Sequence, residues 1–279
     1  MTRRTGARSR LGSVGLHAAL VAGGALTLFP LLWMLSASFM SAGEATTFPP
    51  HLLPRAATLE QYRQLFVRLS LGRAFLSSAI IAVVVTLGSL LFNSMAGYAF
   101  ARLRFGGRER LFGLLLAALI IPAQVGMLPL FLMMKALHLV NSYWGAILPS
   151  LATVLGIFLV RQFMLSIPHE LIEAARIEGA GELRIYWSLV MPLARPVLAT
   201  LAILTFMTTW NDFMWPLIVL SDQRRYTLPV AMASLVGEHA LDIELMMAGA
   251  VVTVLPVLVL FLALQRYYIA GLTAGSVKG

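Results

Sequence analysis

Cysteine is absent from the 279 residues, which excludes a disulfide framework, a thiolate nucleophile and a cysteine metal site, and leaves the redox compartment unread. Charge is scarce as well: Asp, Glu, Lys and Arg together make up 12%, about half the ~25% of an ordinary soluble domain. No GxxxxGK phosphate loop ending in Ser or Thr occurs, so the chain itself has no nucleotide-hydrolysing motif of that kind. No GxSxG elbow occurs either. His169-Glu170 opens HELIE, but Glu173 stands where a zinc protease motif needs its second histidine. His17, His51, His138 and His239 are scattered without ligand spacing. The reading is therefore no catalytic residue, no metal site, no cofactor held by this chain, and no enzyme. Acids number 12 against 21 Lys and Arg, a formal net charge of +9. Nucleic acid is one explanation of such a balance, but the basic residues sit in short loops between apolar runs, where span orientation accounts for them.

What is present is apolar. Hydrophobic residues make up 59% and the mean hydropathy is +0.85, which reads as a polytopic membrane protein of the all-α class. A helix needs roughly 20 apolar residues to cross about 30 Å of hydrocarbon. Six stretches meet that test, about 16–39, 75–100, 111–134, 143–163, 197–220 and 245–264, giving a single transmembrane domain over 1–279. The first run follows Arg3, Arg4, Arg8 and Arg10 as a secretory signal would, but it exceeds the roughly 7–15 residues of a signal core and reads as an uncleaved span. Arg3-Arg4 lacks the apolar residues that should follow a twin-arginine signal. Pro122, Pro129, Pro149, Pro216 and Pro256 fall inside the apolar stretches and predict kinks, tolerated where neighbouring helices satisfy the freed carbonyls.

Basic residues orient the spans. With the amino end inside, the inner segments hold Arg3, Arg4, Arg8, Arg10, the group Arg102 to Arg110, Arg161, Arg176, Arg184, Arg195, Arg266 and Lys278, two-thirds of all Lys and Arg. Four of the outer basic residues lie in the long first outer loop, where the bias counts less. Both termini and the segment EAARIEGAG, Glu173 to Gly181, are thus expected in the cytoplasm. The largest pieces outside the membrane, about 35 residues, are too small for an independent core.

From Ser166 the chain reads SIPHELIEAARIEGAGELRIYWSLVMPLARP. Ser166 can cap a helix that Pro168 opens, with Glu170 and Glu173 near the positive end of its dipole. One short helix is predicted over about 168–178, a turn at Gly179-Ala180-Gly181, and a second helix from Glu182. That second helix should present Leu183, Tyr186, Trp187 and Val190 on one face until Pro192 stops it. Helices this short need a surface to lie against.

This stretch resembles the EAA loop of permease subunits of binding-protein-dependent ABC importers, in which EAA is followed by three residues, Gly, nine residues, an aliphatic residue, one more, Leu and Pro. Glu173, Ala174, Ala175, Gly179, Leu189 and Pro192 fall at those places, with Met191 for the usual Leu and Glu178 for the Asp that commonly precedes the Gly. YAFARLRFGGRERL, IPAQVGMLPLF, WNDFMWPL and the terminal GLTAGSVKG are similar to the carbohydrate, maltose-permease type, in its six-span partner. The resemblance implies a type I permease fold in a bacterial inner membrane. It implies work with a homologous permease, two ABC ATPase subunits that carry the ATP and Mg, and an external solute-binding protein, to import a sugar such as an oligosaccharide or polyol. It further implies that Glu173 meets a basic residue of the ATPase, that Gly179 permits the turn, that the apolar face fills a groove, and that Gly271 to Gly279 reaches the ATPase interface. Glycerol phosphate as the solute, or half of a secondary carrier that needs no ATPase, are the alternatives.

Polar residues inside the spans remain. Asp212 is the one acid well within a span, about 22 Å beyond its inner end, and an intramembrane ionisable group is by default a functional candidate. Trp210, Asn211 and Trp215 beside it could form an aromatic and amide platform for sugar hydroxyls; equally, Asn211 and Asp212 could break or cap the helix. Thr86, Ser89, Asn93 and Gly97 recur at helical spacing, as a tight helix contact or as a ligand path. Gln124, beside the Pro122 kink, either lines the cavity or does not.

Overall fold

The computed structural model describes residues 5–68, 70–238 and 242–274, and these are helical with no strand among them. Four helical stretches among them are long and apolar enough to cross a bilayer: Gly15–Ala37, Leu71–Arg102, Tyr143–Leu165 and Ile243–Ala263. Two bent pairs bring the number to six if each counts as one span. They are Arg108–Ile120 with Ala123–Ala136, bent by 106°, and Glu182–Leu193 with Arg195–Trp210, bent by 78°. Of the predicted positions, Arg3, Arg4, His239 and the terminal segment 275–279 lie outside the described residues.

The chain divides into two compact units. The first comprises 1–70 with 234–254. Its amino-terminal helix Thr5–Ala37 ends in a series of turns that have little regular structure and are tied down by side chains. Trp33 Nε1 donates to the His51 carbonyl at 3.3 Å, Ser36 Oγ to that of Leu52 at 2.6 Å, and Gln61 Nε2 to that of Met40 at 3.3 Å. The Ala45 N–H donates to the wholly buried Glu244 carboxylate at 2.7 Å. A small core of Ala37, Met40 and Ala45, with Trp33, Ile243 and Met247, closes this unit.

The second unit, 71–233 with 255–279, is built around the helix Leu71–Arg102. The helices Val154–Leu165 and Arg195–Trp210 pack along it, and the seam runs through small and polar residues because these let backbones approach closely. A Cβ at Gly97 would lie 2.8 Å from Val160 Cγ1 and 3.0 Å from the Arg161 nitrogen. One turn away, Asn93 Nδ2 donates to Ser89 Oγ at 2.5 Å, and Ser89 and Thr205 share a hydrogen bond of 3.3 Å.

Prolines set the breaks. Ile121, ahead of Pro122, is extended at ψ 119°, as the clash with a following proline ring demands, and there the chain turns through 106°. The Tyr143–Leu165 stretch is interrupted by a 3-10 turn at Leu148–Ser150 that carries Pro149. Its helix restarts where Thr153 Oγ1 accepts from the Gly156 N–H at 3.1 Å. The stretch expected as one helix over 197–220 is instead Arg195–Trp210 and Met214–Val219 with Asn211 to Phe213 between them.

Candidate functional site

The segment 166–193 folds as two short helices across a turn. Ser166 does not cap the first; its hydroxyl donates back to the Phe163 carbonyl at 2.7 Å, closing the preceding helix instead. The first helix, His169–Ile177, begins after Pro168 without a side-chain cap. It ends in the Schellman arrangement: Ala180 N–H to the Ala175 carbonyl and Gly179 N–H to that of Arg176, both 3.0 Å. That turn needs φ of +83° at Gly179, which glycine adopts without steric cost.

One face of the loop is anchored. Ile172, Ile185, Tyr186, Val190 and Ala194 are buried with Tyr98, Ala101, Val160 and Met164 from the ends of the long helices. Burying a side chain such as Ile172 contributes about 1.5–3 kcal/mol. Polar contacts fix the angle. Arg176 Nε donates to Glu182 Oε1 at 2.8 Å and the Tyr98 hydroxyl to Glu182 Oε2 at 2.6 Å. Burial pushes the Glu182 carboxyl up, but the bonds from Arg176 and Tyr98 outweigh it and hold the group below its ordinary value. The Arg176 guanidinium is held above its own by the bond to Glu182. Below this clasp Arg102 donates to the carbonyls of Met164 and Ile167, satisfying a helix end that has no intrahelical partners.

The other face is open. Ile177 is 87% and Leu183 70% exposed, at the two ends of the turn. Glu173, Ala174, Glu178 and Gly181 are exposed and Ala175 is half-buried. Glu173 Oε1 lies 3.2 Å from His169 Nε2, one turn earlier on the same face. The four residues expected on one stripe of the second helix separate: Tyr186 and Val190 are buried, Leu183 and Trp187 exposed. Nor does Pro192 stop this helix, which continues to Leu193. A π-helical turn at Tyr186–Val190 precedes it and widens the backbone where a proline would otherwise crowd the carbonyl four residues back. Leu189 is half-buried and Pro192 exposed.

The candidate pathway residues do not gather. Trp210 is 1% exposed, wedged between Phe75 at 5.5 Å and Phe206 at 5.6 Å; Trp215 is buried with its Nε1 on the Gly145 carbonyl at 3.0 Å. Neither ring is an open sugar platform within this chain, because each fills a gap between helices. Asn93 is fully buried, and its Oδ1 accepts from the Thr153 N–H at 2.9 Å; of its two readings the structure favours the helix contact. Asp212 Oδ1 accepts from the Trp215 N–H at 3.3 Å and Asn211 Nδ2 donates to the Met207 carbonyl at 2.8 Å, so this pair ends one helix and starts the next. Asn211 is nevertheless exposed, and so is Gln124 in the first turn after the Pro122 break. These two and the half-buried Asp212 are the polar candidates that keep an open side. Sequence reasoning missed the clasp of Tyr98, Arg176 and Glu182 and the Arg102 brace below it. Tyr98 and Arg102 stand four apart at the end of one helix, and that spacing was the available signal.

The family model described as binding-protein-dependent transport system inner membrane component matches residues 93–273. An arabinooligosaccharides transport system permease protein of Halalkalibacterium halodurans is 40% identical over 91% of this chain and 92% of its own length. A melibiose/raffinose/stachyose import permease protein of Bacillus subtilis is 38% identical over 90% of this chain and 91% of its own. Among solved structures, a chain of a bacterial ABC transporter involved in the import of the acidic polysaccharide alginate superposes with a TM-score of 0.82 at 26% identity, over 94% of this chain and 98% of that one.

Proposed function

This chain belongs to the family of inner-membrane components of binding-protein-dependent transport systems, and on that premise we propose that it is a permease subunit through which an oligosaccharide enters a bacterial cell. The two relatives named for oligosaccharide transport support the sugar class. In this reading the chain pairs with a homologous permease and receives the sugar from a solute-binding protein. It holds no cofactor and hydrolyses nothing; ATP and Mg belong to two separate ATPase subunits. The segment 166–193 is the cytoplasmic element those subunits grip, both termini lie on the same side, and Gln124, Asn211 and Asp212 face the path between the permeases.

The observation that carries the docking assignment is the contrast across one helix and its turn. Ile172 is wholly buried while Ile177 and Leu183 stand 87% and 70% exposed. Large apolar groups held out on a fixed turn suit a hydrophobic groove of a partner. Motion of that partner would pass through the buried face into the long helices. The test is recovery of the ATPase subunits with tagged permease from co-expressing cells: Ile177→Glu or Leu183→Glu should abolish recovery while the permease pair stays intact. Undiminished recovery with both changes would refute the docking assignment. The sugar class is tested separately, by uptake into vesicles loaded with ATP and supplied with the solute-binding protein. Uptake of glycerol phosphate with none of oligosaccharide would overturn it.

A further inference from the structure

Arg104, Arg108, Arg110 and Glu109 line one open cleft with Phe105 and Gly107, about 580 Å³ in volume, beyond the end of the Leu71–Arg102 helix. The charges there are not balanced. Glu109 is already shared, 2.9 Å from Arg108 and 3.2 Å from Arg161, and Arg108 also donates to the Leu103 carbonyl at 3.0 Å. Arg161 is committed further, its guanidinium lying 4.0 Å over the Phe112 ring. The guanidiniums of Arg104 and Arg110, both exposed, have no hydrogen-bond or ion-pair partner among the described residues. Three guanidiniums thus border a cleft whose one carboxylate is taken.

Beside it the surface turns apolar. Phe105 is exposed, and on the next helix, Arg108–Ala117, so are Leu111 and Leu114. A basic cleft lined by the first residues of a helix that goes on, within its next turn, to expose Leu111 and Leu114 matches an amphiphile with an anionic head and a hydrocarbon tail. It does not match a soluble anion, which has no use for the leucines. From this we infer that the cleft seats the phosphate of an anionic phospholipid of the inner leaflet between Arg104 and Arg110, with the acyl chains along Leu111 and Leu114. A guanidinium binds phosphate through paired N–H groups, and basic residues at a membrane surface attract anionic lipid. The seat is adjacent to the docking loop: Arg104 and Phe105 also border a cleft with Glu173, Arg176 and Ile177. Lipid here would brace the turn against which that loop lies. The inference rests on the cytoplasmic placement proposed above.

The experiment counts lipid on the purified, fully assembled transporter, taken in mild detergent from membranes containing both phosphatidylglycerol and phosphatidylcholine. Arg104→Gln with Arg110→Gln should lower retained phosphatidylglycerol about fivefold or more, and Arg104→Lys with Arg110→Lys, which keeps the charge but not the paired N–H groups, should recover only part of it. Arg224→Gln with Arg225→Gln, an equal charge loss on another loop, should change nothing. Millimolar glycerol phosphate in the wash should not displace the lipid. Unchanged phosphatidylglycerol in the double Gln variant would overturn the proposal, as would equal retention of phosphatidylcholine, displacement by glycerol phosphate, or loss of the ATPase subunits with lipid retention intact. Because the chain has no cysteine of its own, Gly106→Cys labelled from one side or the other reports orientation alone. The cytoplasmic placement and the lipid seat therefore fail separately.

Discussion

Gly179 allows the loop's mechanism to be tested through a single dihedral angle. Its φ is +83°, and a Cβ built there meets nothing within 4 Å, so substitution introduces no clash and the whole cost is conformational. An L-residue in the left-handed region costs roughly 1–2 kcal/mol, asparagine less, and a β-branched residue more. If the turn must be formed for Ile177 and Leu183 to meet the ATPase together, that strain appears in full as lost binding, a factor of about 5–30. Affinity of the ATPase for nanodisc-held permease should thus fall in the order Gly, Asn, Ala, Val. Gly181 is the internal control: its φ is −71°, and it too has open space for a Cβ. Gly181→Ala should therefore bind as the unaltered chain does. Equal affinity for Gly179→Ala and Gly181→Ala would refute the argument, because it would mean that the turn is not what the ATPase reads.

Three further outcomes follow from the packing. Ile172→Ala should lower thermal stability by the equivalent of about 2–5 kcal/mol, the range for a truncated core isoleucine, read as the melting shift of the detergent-solubilised complex, with ATPase binding weakened as well. Asn93→Ala should cost about 1 kcal/mol or more by leaving the half-buried Thr153 N–H without its acceptor, yet leave the sugar concentration for half-maximal transport unchanged if Asn93 lies off the path. Glu182 gives a pH signature: its carboxyl is held below the ordinary value of 4.5, so its bonds contribute stability that is complete above that value and is lost as pH falls through the lower folded one. Pepsin should cut the loop of the unaltered chain slowly near pH 5 and faster below that window, whereas Glu182→Gln should be cut fast throughout; a constant ratio of the two rates would remove Glu182 from the clasp.

What could be read in the sequence was local. Apolar runs of sufficient length became helices, and EGAG became a glycine-closed turn, because both depend on residues within a few positions of one another. What could not be read depended on distant partners. Trp210 beside Asn211 and Asp212 reads equally as a sugar platform and as a core filler, and Phe75, 135 residues earlier, decides for the core. Asn93 has its acceptor role decided by Thr153, 60 residues later. The stripe Leu183, Tyr186, Trp187 and Val190 assumes 3.6 residues per turn, and the π turn at Tyr186–Val190 resets that register.

The prolines carry the same lesson into the mechanism. Pro122 and Pro192 are each preceded by an apolar residue, Ile121 and Met191, yet only the first breaks its helix. Ile121 is free to become extended, whereas Met191 is held helical at φ −60° and ψ −42° because Val190 before it is buried in the cluster. The helix therefore passes through Pro192, and the 78° bend falls at Ala194, where ψ is 1°. Ala194 is itself wholly buried, in the same cluster as Ile172 and Ile185 on the loop, Tyr98 and Met164 on two long helices, and Val197 and Leu201 on a third. A joint sealed in close-packed side chains does not behave as a slack tether. Were a partner to grip the loop at Ile177, force applied there would pass through Ile172 into the ends of three helices at once, because the loop and those helices share one cluster.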